Sequence, residues 1–183
     1  FSNPLADPGI MGVSAGASLG AVIAIALGFT SLGMFYMPAF AFVGAFVSVG
    51  ITILLTLRNN KLDTTTLLLA GVAVSMLLGA FTSGILTMIN EYRLREFLFW
   101  MVGVLDFRRW DHVLLAVGPI MTGSVILMML GRHLNVLVLG DTEARALGVP
   151  VMVYRMLFLF LSSVITATAV CVSGSIGFVG LVV

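Results

Sequence analysis

The chain has 183 residues, 60% of them hydrophobic and 9% charged, and its mean hydropathy of +1.18 lies far outside the range of a soluble globular domain. A net charge of +1, with Lys61 the single lysine among scattered arginines, makes no basic tract and gives nucleic acid no footing. The one cysteine, Cys171, lies in an apolar run and cannot form an internal disulfide.

Apolar runs of about 20 residues match a hydrocarbon core of about 30 Å at the helical rise, and strand-like alternation is absent. The fold class is therefore an all-α integral membrane protein, a polytopic helix bundle. Residues 1–183 read as a single transmembrane domain, with spans near 8–29, 37–57, 64–90, 113–131 and 151–172 and the start of another element after them. The chain opens on Phe1 in a polar turn and closes on an apolar run, so it is expected to be an internal piece of a longer membrane protein.

Pro4 and Pro8 delay the first helix until Asp7 can cap it and Pro8 can take its first position. Gly12, Gly16 and Gly20, continued by Ala24 and Gly28, then form a stripe at four-residue spacing. Such a stripe lets a second backbone approach closely, which is how helices associate in lipid. The second span carries Gly44, Ser48, Thr52 and Thr56 at the same spacing and ends in a polar group, Arg58, Asn59, Asn60, Lys61 and Asp63. The third, starting at Thr64 to Thr66, repeats the pattern with Gly71, Ser75, Gly79 and Ser83. Three successive helices with such surfaces predict a compact bundle.

Residues 91–111 mix acids and arginines with Tyr92, Trp100 and Trp110, and Leu94, Phe97, Leu98 and Met101 recur at helical spacing. This predicts a short interfacial helix with its aromatics at headgroup depth. Residues 131–155 hold a small punctuated helix. Asp141 can cap its first turn, Glu143 sits where the helix dipole favours an anion, Gly148 supplies a left-handed stop and Pro150 opens the next helix. Two turns are too short to persist alone in water, so the segment is held against something. It reads either as a docking element or as an ordinary polar connection. Positive charges divide five against four between the two sides, which places this loop in the cytoplasm only by a margin of one.

There is no GxxxxGK[ST] for ATP and no HExxH, and His112 and His133 sit at opposite ends of one span, about 30 Å apart, so they cannot share a metal. Gly12, Ser14 and Gly16 spell the GxSxG of hydrolases, but the glycines already have a packing role and a partner histidine is wanting. The eleven methionines are scattered, as suits gap-filling in a bundle. No charge falls in mid-span, so no proton relay is marked, and a transporter built this way draws its energy from elsewhere. No enzymatic activity and no cofactor are expected of this chain.

Several strings in order carry a family resemblance: NPLADPGIMGVSAGASLGA at 3–21, TTTLLLAGVAVS at 64–75, FLFWMVG at 97–103, LNVLVLGDTEARALGV at 134–149 and GSIGFVGLVV at 174–183. Together they resemble the FecCD type of permease subunit of bacterial ABC importers for iron siderophores, haem and cobalamin. The resemblance implies a ten-helix subunit in a bacterial or archaeal cytoplasmic (inner) membrane, of which this chain holds about the third to seventh helices and the beginning of the eighth. It implies ABC ATPase subunits that hydrolyse the ATP, a second permease subunit, a periplasmic or lipid-anchored substrate-binding protein and surrounding membrane lipid as partners. The family's coupling helix corresponds to Asp141 to Gly148, with ATPase contact extending over Leu139, Gly140, Asp141, Thr142, Glu143, Ala144, Arg145, Ala146, Leu147 and Gly148. A cytoplasmic gate is implied at Asn3, Leu5, Thr64 and Thr65, residues whose setting equally suits helix capping. A secondary carrier or channel that needs no ATPase is the alternative; it would want a buried carboxylate or ion pair in a span.

Overall fold

The computed structural model describes residues 8–57, 64–103 and 110–174. The described residues are helical: α1 (Val13–Ala26), α2 (Tyr36–Thr56), α3 (Thr64–Met88), α4 (Glu91–Val102), α5 (Trp110–Met129), α6 (Gly131–Val138), α7 (Asp141–Ala146) and α8 (Val151–Ser173). Short 3-10 turns, Pro8–Met11 and Phe29–Leu32, flank α1. Four helices, α2, α3, α5 and α8, are long and apolar enough to cross a membrane.

The first span is not one continuous helix. Gly12 adopts φ +87°, a left-handed conformation that interrupts the helix between the 3-10 turn and α1, and Gly28 at φ +78° closes the other end. What remains is 14 residues, about 21 Å of α-helix, wrapped by α2, α3, α4 and α8. None of its residues is exposed, and Val13, Gly16, Ala17, Gly20, Ala21, Val22, Ala24 and Ile25 are buried.

Small residues make that burial possible. Gly16 of α1 and Gly44 of α2 face each other so closely that a Cβ on either would collide with the other's carbonyl oxygen, and one on Gly20 would strike the Phe40 carbonyl. The two helices run antiparallel, because Gly12 lies beside Ser48 and Gly20 beside Phe40. Hydroxyls of α2 then reach the carbonyls around the break: Thr52 Oγ1 donates to Met11 O (3.2 Å), and Ser48 Oγ adds a second bond (2.8 Å) to Gly12 O, which already accepts from Gly16 N–H (2.9 Å). Gly71 of α3 packs against the Ile10 carbonyl, and Ser75 Oγ comes within 3.4 Å of where a Gly12 Cβ would be.

The third stripe is divided. Gly71 and Ser75 meet the start of α1, but no described atom lies within 4 Å of a Cβ built on Gly79, and Ser83 is exposed. Among the described residues the expectation that Gly79 and Ser83 pack like Gly71 is not met, because the face of α3 turned to the core runs through Leu67, Gly71, Val74, Leu78 and Thr82 to Ile85, Leu86 and Ile89, and Gly79 and Ser83 lie off it.

α4 closes the far end of α1. Asn90 caps it by accepting from Arg93 N–H (3.0 Å), and Arg93 Nη1 donates to Ala26 O (2.7 Å), filling a carbonyl at the end of α1. The stripe of α4 that packs inward is Phe97 and Trp100, whereas Leu98 and Met101 are exposed. Trp100 therefore serves the core rather than a headgroup belt. α8 runs along α1, α2 and α5, with Phe46 edge-on to Phe160 at 5.7 Å and Gly123 against Ile165, and its last turn ends against Trp100 and Gly103 of α4.

The α1–α2 seam makes a directional prediction. Gly16→Val should destabilise the subunit by about 3 kcal/mol through overpacking, whereas Gly50→Ala, where a Cβ meets nothing within 4 Å, should leave it unchanged. Thermal unfolding of the detergent-solubilised subunit reads both.

Candidate functional site: the segment between α5 and α8

Chain direction fixes where this segment lies. α4 sits where α1 and α8 finish, as the Arg93 bond to Ala26 and the Gly174 contact with Trp100 show. The start of α8, and with it α7, is therefore at the opposite end, where α1 and α3 begin.

The sequence reading of a two-turn helix is right in its stop and wrong in its start. Gly148 takes φ +77°, Gly148 N–H donates to Arg145 O (2.9 Å) and Val149 N–H to Ala144 O (3.0 Å). That pair of bonds is a Schellman termination. A Cβ on Gly148 would meet open space, so the glycine is required by backbone conformation and not by room. At the start, Gly140 occupies the cap position and no side chain caps the turn, so Asp141 is not the N-cap. Its carboxylate is engaged elsewhere: Arg155 Nη2 of α8 donates to Asp141 Oδ1 at 2.7 Å, with Nη1 3.5 Å from Oδ2. Glu143 folds back instead, its Oε2 2.6 Å from where a Gly140 Cβ would be.

α7 stands on one residue. Ala144 is fully buried, whereas Leu139, Asp141, Thr142, Glu143, Arg145, Ala146, Leu147 and Gly148 are exposed and Gly140 is half-buried. α6 precedes it, and its His133 ring stacks on Tyr154 of α8 at 4.2 Å and 13°. His133 Nδ1 is buried without a hydrogen-bond partner, so stacking, not hydrogen bonding at that atom, sets the ring's orientation. Leu134, Val138, Leu139 and Leu147 add exposed apolar surface around the charged residues of α7. The arrangement gathers no set of metal ligands among the described residues. It offers a short rod with mixed apolar and charged surface, the character of a protein-docking element.

Of the other expected site residues, Asn3 and Leu5 lie outside the described residues, Thr64 is the first residue of α3 and Thr65 is exposed. α3 begins at the same end of the bundle as α7, so Thr64 and Thr65 share that end with the rod. Gly12, Gly16 and Gly20 face α2, whereas Gly71 packs on Ile10 and Met11 and Ser75 lies beside Gly12; Gly79 and Ser83 take no part in these contacts among the described residues. Ser14 of the hydrolase-like string is in the first turn of α1, half-buried, between two glycines already committed to helix contact. Among the described residues no three His, Cys, Asp or Glu side chains gather as metal ligands would.

Comparison with known proteins gives a consistent answer. The model of the FecCD transport family matches residues 1–183. The cobalamin import system permease protein of Halobacterium salinarum is 42% identical over 184 residues, covering 100% of this chain and 49% of that protein. The hemin transport system permease protein of Yersinia pestis is 42% identical over 189 residues, covering 100% of this chain and 55% of its own length. A solved structure of a metal-chelate type ABC transporter in an inward-facing conformation superposes with a TM-score of 0.90 at 32% identity, covering 98% of this chain and 56% of that one. The chain thus spans about half the length of the curated relatives it matches.

Sequence reading missed α6, the Asp141–Arg155 pair and the His133–Tyr154 stack. Opposite charges bracketing the Gly148–Pro150 turn were the available signal for the pair. Ala144→Leu should lift α7 off its seat at a cost of about 1–3 kcal/mol, whereas Ala146→Leu, exposed, should shift stability by no more than about 0.5 kcal/mol. Amide hydrogen exchange across residues 141–148 in nanodiscs should quicken in the first variant only.

Proposed function

Because this chain belongs to the FecCD transport family, we propose that it forms part of the membrane-spanning permease subunit of an ATP-binding-cassette importer in a cytoplasmic (inner) membrane, moving a metal chelate such as an iron siderophore, haem or cobalamin. The observation that carries this reading is α7: a helix with a single buried side chain, a backbone-enforced stop and every other residue of its surface turned outward. The relatives' names, cobalamin import, hemin transport and metal-chelate transport, support the cargo class.

The partners are two ATPase subunits at the α7 end, a second permease subunit, and a substrate-binding protein at the α4 end. The ATPases hydrolyse ATP and this chain does not. α2 and α3 carry no charged residue at all, and Asp111 and Arg155 lie near the starts of α5 and α8. No described span therefore holds an ion-coupling group in its middle, which favours an external motor over a secondary carrier. Closure of the ATPase dimer pushes on α7, and the close-packed helices tilt as rigid bodies so that access alternates. In this reading Asn3, Leu5, Thr64 and Thr65 belong to the cytoplasmic gate, and of these Thr64 and Thr65 open α3 at the α7 end.

Gly148→Val tests the reading. A β-branched residue at φ +77° strains the stop and displaces α7 without touching a neighbour. In proteoliposomes holding the full-length subunit, its ATPase and its binding protein, ATP hydrolysis should persist while ATP-driven uptake of cyanocobalamin or haemin falls by about tenfold, within the range of coupling energies between sites. Unchanged uptake in a normally assembled complex contradicts the proposal, as does uptake by the wild type without nucleotide.

A further inference from the structure

We infer that the Asp141–Arg155 ion pair, backed by the His133–Tyr154 stack, is a clamp that fastens the cytosolic α6–α7 segment to the foot of α8 and makes α8 the helix that receives the motor's push. The inference rests on the coupling reading of α7 and adds to it which span is driven and by which residues.

Three observations converge. First, α7 has little else to hold it: Ala144 is its one buried side chain, and its start carries no side-chain cap. Second, among the described residues two side-chain links run from α6 and α7 to adjacent residues in the first turns of α8, the His133 stack on Tyr154 and the Asp141 pair with Arg155. α5, although joined to α6 by a continuous backbone, receives no such link from α7 among the described residues. Third, the geometry of the pair resists rotation. Two guanidinium nitrogens face the two carboxylate oxygens, at 2.7 and 3.5 Å, so the rod is held in direction as well as in place. Arg155 is also the better anchored partner, its side chain 26% exposed against 48% for Asp141.

From α8 the load has a defined path. Phe160 bears on Phe46 of α2, Ile165 on Gly123 of α5, and the C-terminal end at Gly174 on Trp100 and Gly103 of α4. Movement entering at Arg155 thus reaches both the α1–α2 pair and the opposite face of the bundle through one helix. An exposed ion pair of this kind contributes little to folding stability, so breaking it should unfasten the rod and leave the bundle standing. Asp141 and Arg155 are positioning residues in this scheme.

The test uses the full-length transporter with its ATPase and binding protein in proteoliposomes. Spin labels on Val153 of α8 and Leu69 of α3, both exposed, report the movement of α8 when the ATPase dimer is trapped with ADP and vanadate, a readout that needs no cargo. Wild type should show a nucleotide-dependent change in this distance. Asp141→Arg and Arg155→Asp should each abolish that change while ATP hydrolysis continues, and the nucleotide consumed per cyanocobalamin or haemin carried should rise by about tenfold. The charge-swapped double variant should restore both. Singles that keep the wild-type change, or a double no better than the singles, overturn the clamp. Gly148→Val separates the two ideas: if it abolishes the change and the reversals do not, the clamp alone falls, and if it too is silent, the coupling reading falls with it. Should a reversal fail to assemble, Asp141→Asn and Arg155→Gln, alone and together, complete the cycle. A double no worse than either single supports the clamp, and additive losses overturn it.

Discussion

Lipid gives two apolar helices no reason to leave it for each other, and this bundle answers with backbone contact. The Gly16–Gly44 crossing, where neither residue has room for a methyl group, is the constraint on which the rest depends. It brings α2 close enough for Ser48 and Thr52 to supply hydroxyls to the carbonyls of Gly12 and Met11. Gly12 itself permits the left-handed break, the Thr52 bond gives the Met11 carbonyl a partner there, and the 3-10 turn before it lies against Gly71 of α3. A buried, broken helix end would otherwise leave polar groups unpaired where no water can reach them.

The outer helices are held differently. α8 joins the bundle through larger side chains, Phe160 on Phe46 and Ile165 on Gly123, and contacts of that kind can slide in a way that interlocked backbones cannot. The bundle therefore has a tight pair, α1 and α2, and a more yielding layer, α5 and α8. α7 is attached to the yielding layer. This division suits a device in which one part moves against another, since packed interfaces shift between discrete arrangements and do not deform smoothly.

Much of this was legible before any coordinates. Glycine and serine at four-residue spacing announced Gly12, Gly16, Gly20, Gly71 and Ser75 as contact positions, because periodicity records which side of a helix must be small. The same periodicity could not say which face of α3 the fold would turn inward, so Gly79 and Ser83 looked identical to Gly71 although no described atom lies within 4 Å of a Cβ built on Gly79. Gly148 was legible because a left-handed stop is a local demand. Asp141 was misread for the converse reason: a carboxylate at a helix start has a local use, and only the fold reveals that Arg155, 14 residues on, claims it first. α6 was overlooked because Gly131 and the charge beside it looked like an ending when the chain was in fact turning into another helix. In α4, Leu94, Phe97, Leu98 and Met101 all fit one helical face on paper, and the tilt that selects Phe97 with Trp100 over Leu98 with Met101 is a tertiary choice.

The brevity of α1 has its own consequence. Its 14 residues are enclosed by neighbours and none is exposed, whereas α2, α3, α5 and α8 all present large apolar side chains outward. A change in acyl-chain length acts on helices that touch acyl chains, re-tilting them to match the new thickness. The central helix has no exposed residue of its own, so bilayer thickness reaches it through the helices packed on it, most closely along the glycine seam with α2. Membrane composition thus acts on the interior of this protein through the same surface that holds it together.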